Sequence, residues 1–197
     1  MDLAALAPII VVLILGAISP GPSLVVLLRN TVEGGKKRGV ACGLGHGIGF
    51  GIYAFIAIAG IAQLKASATG AADVLEIVGG AFLLFLAYLM IRGSDDETPH
   101  KSSGRRGFSE GFLIAFLNPK ILAFQIAIFS QFVEPDFTWI ERLMVASIAM
   151  VIDGGWYILV ALIISGTPML GMLERNARKF ELSMAFVLAG LGIWILL

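Results

Sequence analysis

The chain has 197 residues, 58% hydrophobic and 14% charged, with a mean hydropathy of +0.92, which excludes an ordinary soluble domain and specifies an integral membrane protein. Formal net charge is zero and the basic residues cluster at segment ends, so there is no basic face to follow a phosphate backbone and nucleic acid is not an expected partner. The lone Cys42 excludes an intrachain disulfide and any cysteine-based metal cluster.

A helix crossing a hydrocarbon core of about 30 Å needs about 20 apolar residues. Six segments meet that need: Leu3 to Leu28, Gly39 to Leu64, Asp73 to Ile91, Phe108 to Val133, Ile140 to Ile164 and Phe180 to Leu197. The first has no basic stretch ahead of it and outruns a signal-peptide core, so it is expected to remain as a span. Basic residues fall on alternate connectors: Arg29, Lys36, Lys37 and Arg38 in the first, Arg92, Lys101, Arg105 and Arg106 in the third, Arg175, Arg178 and Lys179 in the fifth. The positive-inside rule makes these connectors cytoplasmic and puts both termini on the outer side.

The third connector has the Ser, Gly and charge mixture of a linker. It divides the chain into a three-helix unit (1–91), a cytoplasmic linker (92–107) and a second three-helix unit (108–197). The units echo each other: Ala17-Ile18-Ser19-Pro20 lines up with Phe116-Leu117-Asn118-Pro119, and Gly51-Ile52-Tyr53 with Gly155-Trp156-Tyr157. An odd number of spans per unit makes the second enter the membrane from the opposite face. The expected fold is therefore an all-α membrane protein of two inverted-topology repeats, an arrangement common among secondary transporters.

In the first and fourth spans, Ser19-Pro20 and Asn118-Pro119 sit deep within apolar sequence. Proline lacks an N–H and collides with the preceding turn, so both spans are expected to break, at Pro20 and Pro119. Ser and Asn are favoured N-caps and Pro suits the first helical position, which makes each dipeptide a helix restart. The free N–H groups and positive dipole end of a half-helix suit a carboxylate. Gly21 permits close approach and Pro22 stiffens the first break.

Between the two breaks, the second span carries Gly43, Gly47 and Gly51 at four-residue spacing, a face for close helix packing, and His46, either a proton relay or a hydrogen-bonded core residue. Lys120 lies near the midplane, where a lysine costs on the order of 3 kcal/mol and needs a function or a partner. Asp153 is the second deep charge, a counter-ion for Lys120 or for a substrate ammonium group, and a candidate proton carrier. Gln125 shares the helical face of Asn118, and Tyr157 lies one turn beyond Asp153. Glu110, Glu134 and Glu141, at segment ends, are expected to be solvated or interfacial. No nucleotide-binding or metal-ligand motif and no soluble domain point to an enzyme, and no cofactor is expected.

Ser19-Pro20-Gly21-Pro22, the basic connector Gly34 to Gly39, the glycine-rich second span and Leu117-Asn118-Pro119-Lys120 resemble the LysE/RhtB family of bacterial amino-acid exporters. That resemblance implies a protein of the bacterial inner membrane, with an amino acid and protons as its partners and homo-oligomerisation open. It implies export from the cytoplasm by proton antiport. The substrate would be held by Ser19, Pro20, Gly21, Pro22, Asn118, Pro119, Lys120, Gln125, Asp153 and Tyr157, with Asp153 and His46 coupling the proton. Two alternatives stand beside this reading, a divalent-cation exporter and a membrane scaffold or regulatory subunit without transport of its own.

Overall fold

In a computed structural model, residues 3–19, 21–67, 70–92 and 107–164 are described, with isolated positions between 176 and 196. Pro20, nearly all of the third connector, and most of the fifth connector and sixth expected span lie outside the described residues.

The described chain forms α1 (Leu3–Ile18), α2 (Pro22–Ser67), α3 (Ala71–Arg92), α4 (Gly107–Phe116), α5 (Pro119–Phe132) and α6 (Trp139–Ile164). Pro22–Ser67 and Trp139–Ile163 are each long and apolar enough to cross a membrane. The pair α4 and α5, bent by 58° at the intervening break, makes a third such span if taken together.

Local chemistry sets the boundaries. At the start of α5, Asn118 is an extended N-cap whose side-chain oxygen accepts from Lys120 N at 3.0 Å, with Pro119 behind it. Thr138 and Glu141 form a reciprocal capping box at the start of α6: Thr138 N donates to Glu141 Oε2 at 2.9 Å and Glu141 N to Thr138 Oγ1 at 3.3 Å.

The first break differs from the sequence expectation. Ser19 N still donates to Gly16 O at 3.2 Å, closing the end of α1, whereas the Gly21 carbonyl accepts from Leu24 N at 2.9 Å. Gly21 is thus the cap and Pro22 the first helical residue, so the restart lies two residues later than Ser19-Pro20. The first connector is also corrected. Residues 29–34 remain helical, and the interruption narrows to Gly35, where φ 71 and ψ 178 leave the helix for a region essentially reserved to glycine. Two limbs result, residues 22–34 and 36–67.

α2 is the hub, packing along α4 and α6, while α3 lies against α5. Glycine makes this possible. A Cβ on Gly47 would lie 2.6 Å from Gly154 Cα, and one on Gly43 2.9 Å from Ile158 N, so α2 and α6 meet backbone to backbone and run antiparallel. A second glycine face, which the four-residue spacing did not suggest, meets α4: side chains on Gly45 and Gly49 would strike the backbone at Phe108 and Phe112. The main apolar core gathers Ile9, Leu13, Phe50, Ile58, Ile128 and Phe129 from α1, α2 and α5. Val151 and Leu159 on the other face of α6 are exposed, as lipid-facing residues are.

Candidate functional site

A cavity opens where the first break, the Asn118 cap, α2 and α6 converge. Its volume is about 60 Å³, and Ser19, Gly21, Pro22, His46, Asn118, Lys120, Asp153 and Tyr157 all line it. Residues from four of the expected spans, the first and last more than a hundred positions apart in the chain, thus share one space. Phe50, Ile121 and Phe124 supply its apolar wall and Gly16 its close approach, since a Cβ on Gly16 would meet the Phe124 ring.

The polar lining includes two groups. In one the Lys120 ammonium reaches across to the first break, so a Cβ built on Gly21 would stand 3.6 Å from Lys120 Nζ. The capped start of α5 and the Gly21–Pro22 start of α2 bring two helix N-termini to the same place. In the other His46 Nδ1 lies 2.6 Å from Asp153 Oδ2, and both side chains are almost wholly buried. Tyr157 stacks on the His46 ring, centroids 4.0 Å apart. His46 Nε2 and Ser19 Oγ are buried without a hydrogen-bond partner among the described residues. A buried donor or acceptor left so is a place for a ligand or water.

Asp153 therefore finds its protein partner in His46, a pairing that spacing along the chain did not reveal. Gln125 lies elsewhere. It is fully buried and donates from Nε2 to Phe50 O at 3.1 Å, tying α5 to α2 outside the cavity lining. Ser23, unremarked in the sequence, is buried and lines the cavity, one turn after Ser19 across the break. Glu110 corrects another expectation. Its side chain is only 12% exposed, accepts from Asn30 Nδ2 at 2.8 Å and pairs with Arg38 Nη2 at 3.4 Å, so it is neither solvated nor interfacial.

Apolar helices meeting backbone to backbone around a small cavity that holds a few polar groups are consistent with a membrane transporter. The family profile described as LysE type translocator matches residues 14–197, and the chain belongs to that family. The threonine efflux protein of Salmonella typhi is 23% identical over 192 residues, 93% of this chain and 93% of that protein. The threonine efflux protein of Escherichia coli (strain K12) matches to the same extent. The uncharacterized membrane protein YahN of Escherichia coli (strain K12) is 29% identical over 134 residues, 64% of this chain and 59% of that protein. No solved structure matches.

Proposed function

We propose that the chain exports an amino acid or close derivative across the bacterial inner membrane, exchanging it for protons. The observation that carries this reading is that one cavity is lined both by Lys120 with two helix N-termini and by the His46–Asp153 pair. A zwitterion carries groups complementary to both. Its carboxylate is held by the Lys120 ammonium and the N–H groups after Gly21 and Asn118. Its ammonium group is taken by Asp153, and His46, already hydrogen-bonded to that carboxylate, moves the coupling proton. Membership of the translocator family and the threonine efflux relatives support an amino-acid cargo.

In the wider architecture, the proline-broken spans belong to two inverted three-helix repeats that rock about the cavity. The antiparallel run of α2 and α6, second members of their repeats, supports it. Among the described residues no three His, Cys, Asp or Glu side chains gather at one point, and nothing there favours a divalent cation as cargo.

The test is efflux of labelled threonine, homoserine, leucine or lysine from proteoliposomes under an imposed proton gradient. Gradient-driven efflux of one of them, lost in Lys120→Ala and in Asp153→Asn, supports the reading. Full efflux in both folded variants would remove the assigned roles, and efflux that ignores the gradient would remove proton exchange.

A further inference from the structure

The cluster of Asn30, Arg38 and Glu110 lies outside the cavity. Asn30 is on the first limb of α2, Arg38 on the second limb just past the Gly35 break, and Glu110 in the first turn of α4. Arg38 Nε donates to Asn30 Oδ1 at 2.7 Å, Asn30 Nδ2 donates to Glu110 Oε2 at 2.8 Å, and Arg38 Nη2 sits 3.4 Å from Glu110 Oε1. A closed polar ring thus ties three helical segments together at their ends next to the two basic connectors. Inward from it the helices are sealed. Side chains on Gly107 and Gly111 would collide with the Arg38 and Cys42 carbonyls, and one on Gly45 with that of Phe108. Cys42 is one turn in from Arg38, 1% exposed, and one turn short of His46.

The first limb joins this ring to the cavity. Ser23 lines the cavity near its start, and Asn30 stands in the ring about two turns later. The limb is bounded by the Ser19–Gly21 break at one end and by Gly35 at the other. A short rigid rod between two breaks can tilt as a unit, and hinges of this kind absorb large φ/ψ changes at a few positions.

We infer that Asn30, Arg38 and Glu110 form the cytoplasmic gate of the transport path, latched shut in this conformation, and that residues 22–34 are the lever linking it to the cavity. This rests on the exporter reading and on the orientation set by the basic connectors. The glycine-packed seam leaves no side-chain-sized passage between α2 and α4 in this conformation, so a cargo entering past the ring parts these two helices. Releasing the ring is the step that permits it.

The native Cys42 reports the gate directly, as it is the chain's one cysteine and lies just beneath the ring. Full-length protein in inside-out vesicles is treated with a membrane-impermeant maleimide, with Cys42→Ser as the blank. Wild type labels slowly. Glu110→Gln and Arg38→Gln each label about tenfold faster, as expected when a latch worth roughly that factor in the closed population is lost. The double swap R38E/E110R restores protection, which general loosening of the fold would not. Unchanged labelling in both single variants, with the protein still monodisperse, overturns the proposal, as does faster labelling only from the outer face of right-side-out vesicles. Labelling needs no cargo, so a working gate with no amino-acid efflux would count against the substrate and leave the latch standing.

Discussion

At the scale of single residues, the His46–Asp153 contact decides most. Both groups are buried within a membrane-spanning helix pair, where an unpaired polar atom has no water to turn to. Asp153→Ala leaves His46 Nδ1 unsatisfied and is expected to lower stability by about 1–3 kcal/mol, read as a drop in melting temperature in detergent, together with loss of transport. The glycines divide by what they face. Gly47→Ala would force its Cβ to 2.6 Å from the Gly154 backbone and should destabilise by about 1–3 kcal/mol through separation of α2 and α6. Gly60→Ala, in the same helix with nothing within 4 Å, should instead be neutral or stabilise by up to about 1 kcal/mol. Equal effects at the two positions in thermal denaturation would contradict the packing argument.

At the scale of elements, breaks rather than helices carry the design. Asn118 caps α5 through a single side-chain hydrogen bond, so Asn118→Ala should cost about 1 kcal/mol and slow transport by disordering the helix start beside Lys120. Asn118→Ser or Asn118→Asp, which keep a capping oxygen, should restore stability, and their failure to do so would show that Asn118 acts otherwise than as a cap. Gly35 is the other informative break. Its φ of 71 with an extended ψ is a conformation that side-chain-bearing residues rarely adopt, so Gly35→Ala should cost about 1–3 kcal/mol or straighten α2 and pull Asn30 away from Arg38. Either outcome is visible in maleimide labelling of Cys42.

At the scale of the whole molecule, orientation follows from charge rather than from packing. With Arg29, Lys36, Lys37 and Arg38 in one connector and Arg92, Lys101, Arg105 and Arg106 in another, both chain ends are expected outside the cytoplasm. A C-terminal alkaline phosphatase fusion should then be active and a fluorescent-protein fusion dark in a bacterial host. The reverse pattern would invert the membrane orientation and turn the proposed cytoplasmic gate into an outer one. The parallel run of α4 and the second limb of α2, with α6 antiparallel on the other face of α2, is compatible with that orientation.

Composition and hydropathy by themselves determined the membrane class and marked Lys120 and Asp153 as charges within apolar stretches, because burying apolar residues in lipid depends on counts and windows that a linear chain carries in full. Helical period likewise put Gly43, Gly47 and Gly51 on one face, since the spacing of 3.6 residues per turn is local. Which partners those groups meet is not local. That His46 faces Asp153 Oδ2, that Gln125 turns to the Phe50 carbonyl, and that Glu110 is drawn inward by Asn30 and Arg38 all depend on how α2, α4, α5 and α6 rotate against one another. That rotation is set by backbone contact at the glycine seams, where a few tenths of an ångström between helices distant in sequence choose one pairing over another, and only the tertiary structure contains it.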